Sequence, residues 1–438
     1  MMRDRYFIIA CLVIVTLGMI TVAFPEGAAS ILIVLALSTG ALLIFRRYTE
    51  EKEYITTIFL GALLIRLAFG VFIHWVDLRE FFGGDALTYD TQAWRLVEYW
   101  TGQVSADNSA IDRARASVGP GWGMHYLVAG IYYLLGRNLF AAQSFCAVFG
   151  AATAPMIYFC AVKMFKNKRV GKISAFAIAF FPSFVVWSSQ LMKDGLVIFL
   201  LVLTMTMVLQ LQQKFGWGAL GLLIFSLFGI LSLRFYIFYM VALAVVGSFL
   251  IGATGSIQSV VRRTAVLIML GLALTYLGVI RNARVDFENF GSLEQVQRSR
   301  EDLATSADSG YGEDLDVSTA EGAISALPIG FTYLMFAPFP WEMENFRQSI
   351  TLPEVLLWWS LMPLLVIGIW YTVRHRLRGS IPVLIFSLML TLAYSIFQGN
   401  VGTAYRQRTQ IQVFFFIFIA VGITLYLERK EDRDRVLR

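Results

Sequence analysis

Cysteine and histidine are scarce, with three of each in 438 residues. Cys11, Cys146 and Cys160 lie in apolar runs with no CxxC pair and no histidine nearby in sequence. That points away from a disulfide framework or thiolate metal site and towards buried structural thiols. His74, His125 and His375 are too scattered for a zinc-protease motif. No soluble domain and no internal repeat is visible. What the chain has is apolar length: 58% hydrophobic residues, 15% aromatic and a mean hydropathy of +0.67. Runs of roughly 20 apolar residues recur along it, each long enough to cross a hydrocarbon core. The fold class expected is therefore an all-α polytopic membrane protein. Much of the net charge of +6 falls in short loops between spans, so it argues for no nucleic-acid partner.

The positive-inside rule orders the spans. Arg3 and Arg5 place the N-terminus inside, and spans near 6–24 and 28–45 form a hairpin. A cleaved signal peptide fits less well, because only Pro25-Glu26-Gly27 separates the two apolar runs. Further spans are expected near 54–76, 138–164, 172–190 (interrupted by Pro182) and 195–213. Two more carry the chain out to Arg234 and back to Arg262-Arg263, and the last four lie near 264–281, 354–373, 381–398 and 410–427. That gives about twelve transmembrane helices with both termini cytoplasmic. The stretches 122–136 and 326–340 are too short to span and are expected as surface-lying or re-entrant helices on the outer side. By domain, residues 1–53 form the N-terminal hairpin and a cytoplasmic loop, 54–428 the transmembrane domain, and 429–438 a cytoplasmic tail. Within the second, 77–137 is the first outer loop with its surface helices. Residues 282–325 form a long acidic outer loop, and Ser, Gly and Asp over 305–318 predict mobility there.

The segment Asp77–Trp100 is the first strongly polar one. From Asp85 onward, Ala86, Tyr89, Ala93, Leu96, Val97 and Trp100 recur at helical spacing, opposite Thr88, Thr91, Gln92, Arg95 and Glu98. Gly83-Gly84 reads as a turn that leaves Asp85 at or next to the N-cap. Asp85 and Asp90 are five residues apart, about 140° on an ideal helix, so they flank the apolar stripe and do not form a tight pair. Lys193, Arg234, Arg406 and Arg408 fall on the outer side, where basic residues are under-represented. Two readings stand for them: an anionic head group or phosphate bound there, or snorkelling to lipid phosphates. Asp85 and Asp194 each precede an apolar run and read equally as N-caps. Arg66, near the middle of the third span, needs a partner in the bundle interior.

With these residues in place, the pattern resembles the GT-C membrane glycosyltransferases, especially those similar to protein mannosyltransferases and the aminoarabinose transferase. The residues that carry the likeness are Arg66, Gly84-Asp85-Ala86-Leu87-Thr88-Tyr89 with Ala93, and Leu134-Leu135-Gly136. They continue through Phe181-Pro182-Ser183, Trp187-Ser188-Ser189 and Lys193-Asp194. Pro338-Phe339-Pro340-Trp341-Glu342 and Gly402 to Arg408 resemble bacterial exopolysaccharide membrane proteins of this broad type. Ala86 stands where the commonest family form has a second acid.

The resemblance implies transfer of a sugar from a polyprenyl-phosphate carrier to a saccharide, lipid or protein acceptor. The reaction would take place at the outer face of a bacterial inner (plasma) membrane, in cell-envelope or exopolysaccharide assembly. Asp85 first, or Asp90, would be the catalytic base. Lys193, Arg234, Arg406 and Arg408 would bind the donor phosphate and stabilise it as it leaves. Asp194 and Tyr89 would bind substrate, and either is a candidate to meet a divalent cation (Mg or Mn). No cofactor is fixed, and no metal ligand set is assigned. The competing readings are a polysaccharide polymerase or ligase with a lipid-pyrophosphate donor, and a lipid-linked saccharide transporter or flippase.

Overall fold

The computed structural model describes residues 27–82, 84–104, 121–251, 257–279, 291–305, 309–312, 314–343 and 346–436. All regular structure among them is helical, apart from one isolated bridge between Gly310 and Asn400. The helices are α1 (Gly27–Arg47), α2 (Lys52–Val76), α3 (Arg79–Phe82), α4 (Asp85–Trp100), α5 (Gly123–Leu135), α6 (Leu139–Phe165) and α7 (Lys168–Phe180). They continue as α8 (Pro182–Ser188), α9 (Lys193–Gln213), α10 (Trp217–Leu233), α11 (Phe235–Ile251), α12 (Ile257–Tyr276) and α13 (Leu293–Thr305). The last are α14 (Ala320–Phe336), α15 (Phe346–Ser349), α16 (Leu352–His375), α17 (Leu377–Phe397) and α18 (Val401–Val436).

Seven of these are long and apolar enough to cross a membrane: α1, α2, α6, α9, α16, α17 and α18. The bent pair α7–α8 makes eight if it counts as one span. That is fewer than the twelve expected, and length gives the reason. Helices α10 and α11 have 17 residues each, about 25 Å against a hydrocarbon core of about 30 Å. Helix α12 carries Arg262 and Arg263 within its first two turns. The span expected at 6–24, with Arg3, Arg5 and Cys11, lies outside the described residues. Cys146 and Cys160 are buried free thiols, as composition suggested.

The chain divides into two compact units. The first comprises residues 1–161, 171–202 and 228–238; the second comprises 162–170, 203–227 and 239–438.

In the first unit, α1 and α8 pack on α2, and α4 packs on α5. Helix α6 is preceded by Asn138, whose Oδ1 accepts the Ala141 N–H at 2.9 Å in an N-cap. The bend of 54° between α7 and α8 follows from Pro182, which has no N–H to offer the carbonyl of Ile178. Arg66 fills that gap. It is wholly buried, and its Nη2 donates to Ile178 O (3.0 Å) and Phe184 O (3.4 Å). Its Nη1 donates to Ala62 O and Ala179 O (both 2.9 Å), and its Nε to Ser188 Oγ (2.8 Å). The mid-span arginine therefore has a backbone break, not a carboxylate, as its partner. Gly150 and Gly195 admit Ser188 to this arrangement; a methyl on either would collide with its side chain.

In the second unit, α14 packs on α17 and α16 on α18. The crossings are close because Gly330 and Gly368 lie against the carbonyls of Ser395 and Phe418, where any Cβ would clash. The acidic loop contributes to this unit as well. Its described part holds α13, from which the buried Arg300 reaches the carbonyls of Ile396, Gln398, Tyr311 and Gly312. Tyr311 N donates to Gly399 O (2.8 Å) and Val401 N to Ser309 O (2.9 Å), which ties the described part of 305–318 to the α17–α18 turn. Asp286, Glu288, Asp308 and Glu313 lie outside the described residues. Helix α18 starts at Val401, earlier than the expected 410, because Asn400 Oδ1 caps it through Thr403 N (3.1 Å). It also runs past Arg429 to Val436, through the expected tail.

Candidate active site

Helix α4 starts at Asp85, with Gly84 as N-cap, so Asp85 is the first helical residue and only partly buried. Its buried face consists of Ala86, Tyr89, Asp90, Ala93, Leu96 and Val97. Asp90 thus belongs to the buried stripe instead of flanking it. The reason is the partner helix: Asp90 Oδ1 accepts Tyr132 Oη (2.6 Å), and Oδ2 accepts Arg137 Nη2 (2.6 Å). Both partners come from α5 and the turn after it, and the pair holds α4 against α5.

Tyr89 is one turn beyond Asp85 and therefore on the same side of α4. Its ring meets His125 of α5 edge-to-face, with centroids 5.3 Å apart. His125 is 8% exposed, and its Nδ1 has no hydrogen-bond partner. Burial, followed by the nearby Lys193 ammonium, holds its pKa below the ordinary 6.5. The chain enters α5 through Gly121, at φ +104°, where a methyl would stand 3.7 Å from Lys193 Nζ. That φ lies in the region that favours glycine, and the tighter neighbour of such a methyl is Leu233 O at 3.3 Å.

Lys193 and Asp194 open α9. Asp194 is fully buried, and its Oδ1 accepts Arg234 Nη2 at 2.7 Å. Arg234, in the turn between α10 and α11, also donates through Nη1 to Tyr236 Oη at 2.6 Å. Asp194 is thus held in an ion pair buried on both sides, which requires good geometry to offset desolvation.

The first unit thus holds Asp85, Tyr89, Lys193, Asp194 and Arg234 from the expected set, with Asp90 diverted to Tyr132 and Arg137. It adds His125, which sequence reasoning passed over because no second histidine or cysteine accompanies it. The remaining pair, Arg406 and Arg408, belongs to the second unit. Arg408 is wholly buried, and its Nη1 donates to Met335 O (3.0 Å) and Ala337 O (2.9 Å). Its guanidinium faces the rings of Tyr405 (5.1 Å) and Trp358 (5.9 Å), and Nε and Nη2 have no hydrogen-bond partner. For the divalent cation considered above the fit is poor. Among the described residues no three His, Cys, Asp or Glu side chains group to hold a metal, and Asp194 is engaged with Arg234.

Residues 121–278 match the family model of the dolichyl-phosphate-mannose-protein mannosyltransferases. The GT-C resemblance read from the sequence is borne out over that stretch. It runs from Gly121 through α12 and takes in His125, Lys193, Asp194 and Arg234; Asp85, Asp90, Arg406 and Arg408 lie beyond its ends. No curated protein matches the chain.

Proposed function

We propose that the first unit transfers a sugar from a polyprenyl-phosphate carrier to an acceptor hydroxyl, with inversion, in cell-envelope or exopolysaccharide assembly. The observation that carries this reading is the cluster Tyr89, His125, Lys193, Asp194 and Arg234 beside the start of α4, within and next to the stretch that matches the mannosyltransferase model. Asp85 takes the proton of the acceptor hydroxyl as its oxygen attacks the anomeric carbon. The bond from that carbon to the phosphate oxygen breaks, and the carrier leaves as its phosphate. Lys193 meets the charge that develops on it. Arg234, with its direction fixed by Asp194 and Tyr236, adds donors suited to phosphate. The neutral imidazole of His125 offers Nδ1 to a sugar hydroxyl. Asp90, held by Tyr132 and Arg137, positions α4 and takes no proton.

In this reading the chain is a multi-pass protein of the bacterial inner membrane with both termini cytoplasmic, and the reaction takes place at the outer face. Arg406 and Arg408 belong to the second unit, and the spare donors of Arg408 suit an anion. The test supplies the purified protein with a labelled polyprenyl-phosphate sugar and follows release of the carrier. Wild type releases it, and Asp85→Asn, folded to the same extent, does not. Full activity in Asp85→Asn removes Asp85 as the base.

A further inference from the structure

Arg262 and Arg263 are neighbouring like charges near the start of α12, and most of their donors are uncommitted. Arg262 Nη2 donates to Gln212 O at the end of α9 (2.7 Å), while its Nε is shielded from solvent and has no hydrogen-bond partner. Arg263 donates to no described residue, and its Nε and Nη1 are shielded as well. Shielded donors without acceptors are costly, so they call for an acceptor. The carbonyl end of α9 accounts for the single bond of Arg262 and for none of the other donors.

Two lysines extend the cluster. Lys166 Nζ donates to Gln213 Oε1 (3.3 Å) and Lys163 Nζ to Gln210 Oε1, so the last turn of α9 gathers cations from the end of α6 and from α12. Lys166 stands at φ +55°, a conformation that favours glycine, yet a lysine occupies it. No carboxylate of a described residue pairs with Lys166, Arg262 or Arg263. Arg169, by contrast, has Glu431 at 2.9 Å. All of these residues belong to the second unit.

Forked guanidinium donors beside an ammonium match a phosphate. The flanks are apolar and open. Val260 and Val261, next to the arginines, are 47% and 61% exposed, and Trp217, where the chain leaves α9 for α10, is 73% exposed. An exposed tryptophan at the end of an apolar helix marks the head-group level of a bilayer. A free phosphate would use the cations and leave the apolar flank idle, whereas a phospholipid uses both. We propose that the ends of α6, α9 and α12 bind the phosphate of an anionic phospholipid. Arg263 and Arg262 supply the forked donors, Lys166 supplies a further charge, and the acyl chains run along Val260 and Val261. Basic pockets between helices at a membrane surface take such head groups. Such a site holds whether or not the first unit transfers a sugar.

The experiment uses the full chain, purified in detergent and stripped of lipid. Dioleoylphosphatidylglycerol is the probe, dioleoylphosphatidylcholine the neutral control and inorganic phosphate the competitor. Native mass spectrometry counts the bound lipid, and thermal unfolding is followed in parallel. Phosphatidylglycerol binds in preference to phosphatidylcholine and raises the melting temperature. Arg263→Gln weakens it about tenfold and, without lipid, melts as wild type does, because that side chain bonds nothing in the protein. Arg263→Lys, which keeps the charge without the fork, loses less. Arg374→Gln, which removes an exposed charge from the last turn of α16, leaves binding unchanged. The site is overturned if the two lipids bind alike, if Arg263→Gln binds as wild type does, or if Arg374→Gln weakens binding as much. Displacement of the lipid by inorganic phosphate would overturn the lipid and put a free-anion site in its place.

Discussion

Arg66 and Arg408 invite comparison. Each is wholly buried in an apolar helix, and each turns to backbone carbonyls beside a proline, Pro182 in one unit and Pro338 in the other. They differ in what is left over. Arg66 places Nε, Nη1 and Nη2 on five acceptors, so it has nothing to offer a ligand. Arg408 bonds only through Nη1, with Nε and Nη2 facing aromatic rings. A buried arginine in an apolar helix is thus not functional by position alone; the count of its satisfied donors separates a backbone brace from a group with capacity for a ligand. Arg234 is a third kind, committed to a carboxylate beside a lysine.

The largest effect is expected at that third kind. Asp194→Ala leaves Arg234 buried without its carboxylate and should cost about 3–5 kcal/mol. Thermal unfolding in detergent measures it, and Asp194→Ala combined with Arg234→Met should recover much of the loss. No recovery would mean that Asp194 matters for some reason other than the pair.

Arg66→Met orphans the carbonyls at the α7–α8 break, each lost charged bond being worth about 1.5–3 kcal/mol. Arg408→Met removes bonds to two carbonyls, one of which keeps Trp358, and should destabilise clearly less. Equal losses in the two melts would mean that the two arginines brace their helices alike.

The smallest effect is the titration of His125. Because its folded pKa lies below the ordinary 6.5, the folded state resists protonation that the unfolded chain accepts. Stability is therefore unaffected above that value and is lost as pH falls below it. His125→Gln should flatten that acid limb in melting temperatures taken between about pH 7 and 5. An unchanged limb would assign the acid sensitivity to other groups.

Much of this was legible in the sequence. Helical spacing from Ala86 to Trp100 identified α4, the length of 122–136 identified a helix too short to span, and Pro182 marked the break. Periodicity could not show partners. It placed Asp90 beside the stripe because nothing local signals that Tyr132 and Arg137, more than forty residues on, would meet it. It passed over His125 because a lone histidine on an apolar face carries no spacing signal. Polar composition over 305–318 also gives no hint of the long-range bonds of Arg300 and Tyr311. Periodicity began the last helix at 410 because Asn400 caps from a stretch that composition reads as loop.

We propose the first unit as the reacting centre, with Lys193 as its leaving-group cation. The direct measurement is the single-turnover rate of carrier release from a labelled polyprenyl-phosphate sugar by Lys193→Met, with its folded fraction matched to wild type. Loss of one preorganised charge at the leaving group predicts a rate lower by about 10²–10³-fold with an unchanged melt. A wild-type rate in folded Lys193→Met contradicts it.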